Sequence, residues 1–218
     1  MTRIPARPAG QEPGAVGRRR GRYHHGKLPK ALVAAAVKLV ESGGVGALTL
    51  RGAARKAGVS QAAPYRHFTD KQALLAAVAE EGFRSLTEAM RQATAPHEGD
   101  PLGRFHALGR AYVDFAMAHP AHYRIMFGQA AADRSAYPLL KAAAQETFGL
   151  LVAAIQDCQR AGVVRPGDAE ELALAAWSAS HGLSSLAVDG QLSVMGERSR
   201  EALIQAVMAN IFFGLGSR

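Results

Sequence analysis

Two short stretches of the sequence carry polar side chains at a spacing suited to contacting nucleic acid. Residues 49–57 are predicted to form a short helix, Gly58 permits a tight turn, and a second short helix is predicted from Ser60 to about residue 67. The second helix carries Gln61, which can pair with adenine, and Arg66, which prefers guanine. The spacing favours a helix-turn-helix only weakly, so a purely structural helix pair stays open as an alternative.

Residues of other reactive types do not form a recognisable catalytic or metal-binding set. His119 and His122 are close enough in sequence to share a metal, but Pro120 lies between them and no carboxylate or cysteine completes the site. The run 43–46 is rich in glycine, yet no Lys-Ser or Lys-Thr follows it, which indicates a helix stop rather than a phosphate-binding loop. No serine nucleophile with His and Asp partners can be argued. We therefore expect no enzyme activity, no cofactor and no metal.

The elements that would position these residues are predicted to be helices throughout. From residue 28 onward apolar residues recur at helical spacing, as at Leu75 and Ala79, and Gly or Pro residues separate the segments. Thr69, with Gln72 three residues later, has the pattern of a capping box at the start of a long helix. No convincing alternation of apolar and polar residues predicts a strand. The expected fold is all-α with about nine helices.

Charge divides the chain into a basic amino-terminal part and a near-neutral remainder. Residues 1–95 contain 16 Lys and Arg against 6 Asp and Glu, whereas residues 96–218 contain 10 against 12. A basic face of this kind is suited to a polyanion, and nucleic acid is the usual one. The alternative explanation is a basic tail in an arginine-rich proteome, and composition does not separate the two.

The same division predicts the domains. Residues 1–22 are rich in Pro, Gly and Arg, including Arg18, Arg19, Arg20 and Arg22, and have almost nothing to bury, so they are predicted to be a disordered basic arm. We predict a DNA-binding domain at 23–71 and a helical regulatory and dimerisation domain at 72–218, with the boundary inside a helix that faces both halves.

Cysteine usage and hydropathy favour a cytoplasmic protein. Cys158 is the only cysteine, which excludes an intramolecular disulfide, and its apolar surroundings favour a packing role. No apolar run approaches the roughly 20 residues that a membrane span needs, and no apolar segment follows the Arg-rich amino end to make a signal peptide. We expect no membrane partner.

Residues 24–79 resemble the amino-terminal domain of TetR/AcrR-type regulators. The resemblance rests on HHGKLPKALVAAAVKLV and on LTLRGAARKAGVSQAAPYRHFTDKQALLAAVA, in which GVSxxxxYRHFxDKxALL is specific to that family. It implies base contacts from the start of the second short helix, phosphate contacts from the residues around it, and a helical effector-binding domain behind them. The predicted DNA-binding residues are Thr49, Arg51, Gln61, Ala62, Tyr65, Arg66, His67 and Lys71.

Two residues depart from the family pattern. Pro64 stands where Leu, Ile or Val is usual, and a proline this far into a helix predicts a late start or a bend. Gly52 stands where a capping Glu or Asp is common, so a cap at Thr49 would lack its reciprocal half.

A small-molecule site is predicted in the carboxyl-terminal part. Trp177 and His181 share one helical face, with Gly182 beside them, and the segment resembles a W-x-x-x-H-G signature found in one branch of the family. Aromatic and polar-tipped residues on two earlier helices would complete an apolar pocket. The predicted ligand-binding residues are Tyr112, Phe115, His119, Tyr123, Met126, Phe127, Trp177 and His181. The alternative is that Trp177 and His181 anchor the core, with the imidazole hydrogen-bonded internally.

These observations predict a homodimeric repressor that binds a palindromic double-stranded DNA operator and is released by a largely apolar small-molecule effector. The resemblance implies a homodimer through the last two helices, and an apolar stripe there, Leu172, Leu183, Leu203, Val207 and Ile211, is expected to supply part of the interface. One alternative is an activator or co-regulator on the same fold. Another is a helical carrier or enzyme with an incidental basic tail.

Overall fold

The computed structural model describes residues 27–128, 134–196 and 199–215, and within these ranges it contains α-helices and no β-strand. The helices are α1 (Leu28–Gly43), α2 (Leu50–Lys56), α3 (Lys71–Thr94), α4 (Pro101–Ala118), α5 (Pro120–Phe127), α6 (Pro138–Arg160), α7 (Ala169–Val188) and α8 (Arg200–Leu215). The all-α prediction is confirmed, with eight α-helices and several 3-10 turns where about nine helices were expected. The predicted basic arm, residues 1–22, lies outside the described residues.

Glycine and proline end the helices near the predicted positions. α1 stops at Gly43 because Gly44 turns the chain at a φ of 71°, and Gly58, also at 71°, follows the end of α2. Residues other than glycine rarely adopt a positive φ, whereas glycine does so without strain, so the helix ends there at little cost. Pro120 separates α4 from α5, since proline has no amide proton with which to continue the hydrogen-bond ladder of α4.

The second short helix of the predicted pair, from Ser60 to about residue 67, is in the structure a turn followed by a 3-10 helix, Pro64–Arg66. Pro64 cannot donate a hydrogen bond, so an α-helical ladder starting at Ser60 has no fourth-residue bond there. Instead Ala63 N–H donates to Ser60 O at 3.0 Å and His67 N–H donates to Pro64 O at 2.9 Å, both spanning three residues. The late start that Pro64 predicted is therefore observed, and it accounts for the missing ninth α-helix.

The cap of α3 lies one residue later than the sequence pattern predicts. Asp70, not Thr69, is the capping residue, and its Oδ1 accepts the Ala73 amide at 2.8 Å. A carboxylate at this position satisfies a free amide of the first turn and also complements the positive end of the helix dipole. The capping box predicted from Thr69 and Gln72 is thus replaced by a simple aspartate cap.

α3 packs against α1 on one side and against α4, α5 and α6 on the other. The helical spacing noted at Leu75 and Ala79 continues through Gly82, Leu86 and Met90, and all five residues are buried. One continuous apolar cluster runs from Leu32 of α1 through α3 to Ala154 of α6. The proposed domain boundary near residue 72 therefore falls at the start of a helix that both halves share.

α6 is long and apolar enough, by length and composition alone, to cross a membrane, although the sequence was expected to contain no such segment. It packs against α3, α4 and α7, and Thr147 on its buried side bonds to Thr87 of α3 at 2.8 Å. Core helices of other folds pass the same test of length and composition. Cys158, near its end, is fully buried, and burial raises the pKa of its thiol to about 11, as expected of a packing residue.

The position of the α3 cap can be tested by comparing two neighbouring substitutions. Asp70→Ala should lower the free energy of unfolding by about 1 kcal/mol, because the Ala73 amide loses its acceptor. Thr69→Ala, the matched control, should change stability by only a few tenths of a kcal/mol, about the usual size for a surface substitution. Urea denaturation of both variants measures the difference, and the reverse order would place the cap at Thr69.

Candidate functional site

The amino-terminal helices present an exposed surface of cations without carboxylate partners. Residues 27–71 contain eight Lys and Arg against two acidic residues. The ion pairs of the described residues all lie at residue 80 or beyond, so no cation of residues 27–71 is neutralised by a described carboxylate. Arg51, Arg55, Lys56 and Arg66 are exposed on α2 and the turn that follows it. Such a surface is suited to the phosphates of a nucleic acid backbone.

The segment 61–67, here called the recognition segment, is anchored by buried residues and exposes its polar ones. Pro64 is buried, and so is Phe68 directly after the segment, whose amide donates to Pro64 O at 2.9 Å. Pro64 thus supplies the apolar anchor that a branched residue supplies at this position in the family pattern. The residues left on the outside are Gln61, Ala62, Tyr65, Arg66 and His67. The five predicted DNA-contacting residues of this segment therefore share one exposed surface.

Thr49 caps α2 as predicted, and Gly52 allows α2 to approach α1. The Thr49 hydroxyl accepts the Gly52 amide at 2.9 Å. A Cβ at Gly52 would lie 2.9 Å from Thr49 Oγ1 and 3.3 Å from Leu39 Cδ1, both tighter than ordinary packing. A larger residue at position 52 would press against the Thr49 hydroxyl and the Leu39 side chain, which gives a physical reason for this departure from the family pattern.

Lys71, like Thr49, is a predicted DNA-contacting residue that also has a hydrogen-bond partner in the protein. It is only half exposed, and its ammonium donates to Val45 O at 3.0 Å, which ties the start of α3 to the turn between α1 and α2. An ammonium group has three N–H donors, so two are left for a phosphate. Lys71 therefore combines a structural role with the predicted one.

A cavity of about 790 Å³ lies in the carboxyl-terminal part, between α3, α4, α6, α7 and α8. Small-molecule sites commonly occupy roughly 300–1,000 Å³. Most of its wall is apolar and includes Phe83, Met90, Phe105, Leu108, Phe148, Leu151, Met208 and Ile211. Its polar wall residues include Arg134, Lys141, Gln145, Thr147, Glu170, Glu171 and Ser180. This is the composition expected of a pocket for a largely apolar ligand with polar groups.

Three of the eight predicted ligand-binding residues, Tyr112, Phe127 and Trp177, line this cavity. Their rings are in contact, with the Phe127 centroid 6.1 Å from Trp177 and 6.2 Å from Tyr112. Trp177 also meets Phe148 of α6 at 6.0 Å. The aromatic pocket predicted from helical spacing is therefore brought together at this point.

His181 and Tyr123 stand behind the aromatic wall and are joined to it by hydrogen bonds. Trp177 Nε1–H donates to the Tyr112 hydroxyl at 3.2 Å, and the hydroxyls of Tyr112 and Tyr123 each lie 2.8 Å from His181 Nδ1. Because Trp177 can only donate, Tyr112 is left with its own proton to give to Nδ1. The imidazole of His181 is therefore hydrogen-bonded inside the protein, which is the alternative that the sequence left open, and burial lowers its pKa and so favours the neutral ring.

Three predicted ligand-binding residues lie away from the cavity. Met126 is fully buried against Gly82, where an added Cβ would come within 2.5 Å of its sulfur. Phe115 and His119, further along α4 than Tyr112, face a separate depression beside α3. Their ring centroids are 4.8 Å apart. α4 passes the end of the cavity before it reaches Phe115, so these two predicted residues lie outside the cavity, and their role in ligand binding stays a prediction.

Two family profiles match the chain. The amino-terminal domain of bacterial regulatory proteins of the tetR family matches residues 32–78, and the tetracyclin repressor-like carboxyl-terminal domain matches residues 105–211. The two matches include the recognition segment and most of the cavity wall, and together they cover more than two thirds of the chain. This chain belongs to the TetR family. It is a DNA-binding transcriptional regulator rather than a carrier or an enzyme.

Solved structures share the fold of this TetR-family protein. A protein of unknown function from Rhodococcus sp. RHA1 is 38% identical, with a TM-score of 0.79 over 90% of this chain and 100% of that one. A tetR-family regulatory protein from Rhodococcus RHA1 is 24% identical, with a TM-score of 0.70 over 88% and 98% of the two chains. The regulator PfmR from Thermus thermophilus is 21% identical, with a TM-score of 0.63 over 86% and 99%. No curated protein matches the chain.

Sequence reasoning missed the cavity residues contributed by α3, α6 and α8. Phe83, Phe148 and Met208 belong to regular apolar stripes, which the sequence cannot distinguish from ordinary core. Arg134 was missed as well, since one arginine next to a helix start carries no signal of burial. The TetR family signature locates the recognition segment but says nothing of these wall residues.

The neutral state of His181 predicts a pH dependence of folding. Burial lowers the pKa of His181 below its ordinary value of 6.5, so the unfolded chain takes up a proton at a higher pH than the folded one. The contribution of this residue to the free energy of unfolding is complete above pH 6.5. It is lost as the pH falls from there through the lower pKa that His181 has in the folded protein. His181→Asn keeps an acceptor for Tyr112 and cannot titrate.

Between about pH 7.5 and pH 5.5, lowering the pH should therefore reduce the free energy of unfolding less in His181→Asn than in the wild type. The difference between the two slopes corresponds to at most about one proton taken up on unfolding. Burial also lowers the pKa of His106 and His122, but both residues are present in both proteins. Urea titrations at each pH measure the two slopes. Equal slopes would show that His181 is not held neutral.

Proposed function

We propose that the protein is a homodimeric repressor that binds a palindromic operator in the cytoplasm and is released from it by a small molecule in the cavity of the carboxyl-terminal part. The main observation in support of this proposal is that one continuous apolar core connects the amino-terminal cationic surface with the cavity. An exposed cationic surface lies at one end of α3, and a cavity of about 790 Å³ that includes Phe83 and Met90 of the same helix lies along its other half.

DNA recognition is proposed to divide between bases and phosphates. Gln61 and Arg66 carry amide and guanidinium groups that can reach base edges in the major groove, and exposed Ala62 permits close approach. Thr49, Arg51, Tyr65, His67 and Lys71 are proposed to contact phosphates, with Arg51 also able to reach a base. Phosphate contacts position the protein, whereas base contacts select the sequence.

The dimer is proposed to form through α7 and α8, on a different surface from the expected stripe. Leu172, Leu183 and Leu203 of that stripe are buried in their own chain and cannot contact a partner. The opposite face of α7 is exposed and carries Leu174, Ser178, Gly182 and Leu186 at intervals of one helical turn.

This exposed face suits close contact between two copies. A Cβ at Gly182 would meet nothing within 4 Å, so no contact with the described residues explains the glycine. Leu186, one turn away, is 48% exposed, and α8 adds exposed Ala202, Ala206 and Ala209. Small residues between leucines allow two helix pairs to approach closely around a two-fold axis.

Coupling between the two sites is proposed to run through α5 and α3. Phe127 of α5 and Phe83 of α3 touch at 5.4 Å in the cavity wall, and both helices also pack against α1. A ligand that favours another position of these rings would favour another placement of the recognition segment. Release then follows as a shift of population between two arrangements of the dimer.

One sequence of experiments tests the regulatory proposal. Duplexes that the wild-type protein retains from a random pool define the operator, and a reporter gene behind that operator is compared with and without the regulator. A repressor lowers the reporter output, and an effector restores it. Higher output with the regulator present would contradict repression and favour an activator.

Substitution in the recognition segment tests the base contacts. Gln61→Ala should cost about 1–3 kcal/mol of binding free energy on the selected operator and relax base preference at one position per half-site. Lys71→Ala should weaken binding to all sequences alike and flatten the dependence on salt. Binding is measured by fluorescence anisotropy over a range of salt concentrations, with melting temperatures recorded because Lys71 also holds Val45. If Gln61→Ala keeps both affinity and preference, this residue does not face the bases.

A charge on α7 tests the dimer surface. Leu186→Glu should give monomers and abolish operator binding at low micromolar protein, because two carboxylates would be buried against each other at the two-fold axis. Leu139→Glu on α6 is the matched control, since Leu139 is 63% exposed and lies away from this face. Light scattering gives the mass of each variant. A dimeric Leu186→Glu variant, or a monomeric wild type, would contradict this interface.

A further inference from the structure

Arg134 is a cation in the wall of the cavity, next to two aromatic rings. Its guanidinium carbon lies 5.0 Å from the centre of the Phe83 ring, and Phe83 and Phe127 flank it in the wall. Its Nη2 donates to Met126 O at 3.1 Å, in the last turn of α5. Met126 O is a neutral acceptor, so this hydrogen bond does not neutralise the charge of the guanidinium.

The described residues offer Arg134 no counterion. None of their carboxylates lies within ion-pair distance, and the Nε of Arg134 is enclosed without a hydrogen-bond acceptor. Burial alone lowers the pKa of Arg134, with no opposing contribution from a nearby acid. An unpaired cation in a poorly solvated place is costly, and the cost falls when an anion binds beside it.

Charge is distributed unevenly along the cavity. Arg134 and Lys141 lie at the start of α6, whereas Glu170 and Glu171 lie at the start of α7. α6 and α7 run antiparallel, since Ile155 and Cys158 at the end of α6 pack in one cluster with Leu172 at the start of α7. The cations and the carboxylates therefore mark opposite ends of the cavity. Between the ends, the wall residues of α6 run from Lys141 to Leu151, a length of about 15 Å at the usual rise of an α-helix.

We propose that the cavity takes an apolar molecule with a single carboxylate, held at one end by Arg134. The proposal deepens the proposed function, on which it rests, by assigning the chemical class of the effector. The guanidinium offers paired N–H donors in the geometry of a carboxylate, and a singly charged head matches the one charge of Arg134, which has no counterion among the described residues. The aromatic wall from Phe83 to Trp177 covers the apolar part, and Glu170 and Glu171 disfavour a second anionic group at the far end.

Three probes with the same alkyl chain and different head groups distinguish the contribution of the head group to binding from that of the alkyl chain. Decanoate, decanol and decyl phosphate are titrated into the wild-type protein, and binding is followed by Trp177 emission and by calorimetry. Decanoate should bind with saturation and about tenfold to a hundredfold more tightly than decanol, the range expected for charge-assisted hydrogen bonds. Decyl phosphate should bind no more tightly than decanoate. Equal affinity for decanoate and decanol, tighter binding of decyl phosphate, or no binding of decanoate at millimolar concentration would overturn the proposal.

Substitutions then assign the head group to a residue. Arg134→Gln keeps a donor for Met126 O and removes the charge, and it should lose about tenfold or more of the affinity for decanoate while decanol binds as before. Arg134→Lys should recover part of the loss. Lys141→Gln, which removes the other cation of this end, should stay within about twofold of the wild type, since Lys141 is exposed and screened. Unchanged decanoate binding in Arg134→Gln, or equal loss of both probes, would overturn the assignment, and the second result would indicate a structural role.

Release of the selected operator is measured separately with the same probes. If decanoate binds in a way that depends on Arg134 but does not release the operator, the carboxylate site is supported and its regulatory role is contradicted. Operator release by a compound whose potency is the same in wild type and Arg134→Gln would sustain regulation and overturn the carboxylate site.

Discussion

Apolar side chains of α3 are buried along its whole length, from Leu74 near the recognition segment to Met90 at the cavity. Each fully buried side chain of this size stabilises the fold by about 1.5–3 kcal/mol, so a movement of α3 that exposed several of them would cost more than a ligand commonly supplies. α3 therefore moves as one body with its neighbours. A change at one end of this helix can reach the other only by reorienting the helix as a whole.

Close contacts at two glycines set how α3 and the recognition segment are placed. At Gly82 the sulfur of Met126 occupies the space of a Cβ, which holds α5 against α3 at the level of the cavity wall. At Gly52 the Thr49 hydroxyl and Leu39 fill the corresponding space, which holds α2 against α1. Both contacts leave little room for adjustment because densely packed interiors have few voids. The helix-turn-helix and the cavity are thus connected through tightly packed contacts, which is the property that the proposed coupling needs.

The polar groups of the cavity fall into two kinds. Tyr112, Trp177 and His181 are joined in a hydrogen-bonded chain, so their burial is compensated within the protein and their geometry is restrained. Arg134 has a single backbone acceptor and no described counterion. A compensated group needs nothing from a ligand, whereas an uncompensated charge gains from one. Trp177 and His181, which the sequence pattern singled out, are therefore hydrogen-bonded within the protein through Tyr112. Arg134, which no sequence pattern singled out, is the residue whose charge would gain from a bound anion.

By itself the sequence determined most of the helices and the exposed residues of the recognition segment, because these depend on local rules. Helical periodicity, positive-φ glycines and the Thr49 cap operate over a few residues, so they could be predicted in order along the chain. The exposed surface of 61–67 follows from the same local pattern, and the late helix start at Pro64 follows from its missing amide proton. The register of the α3 cap was missed by one residue because Thr69 and Asp70 are both good caps, and the geometry of the preceding turn selects between them.

Only the tertiary structure decided where the cavity lies and which side chains line it. Periodicity identifies an inward face but not what the face meets, so Tyr112 and Phe115 were equivalent in sequence and are separated in space by the end of the cavity. The same holds on α7 and α8, where three leucines of the expected dimer stripe are core residues and the exposed face carries Gly182. A void and an uncompensated charge are both defined by which atoms are absent nearby. They depend on how six helices meet, and no spacing within one helix encodes that arrangement.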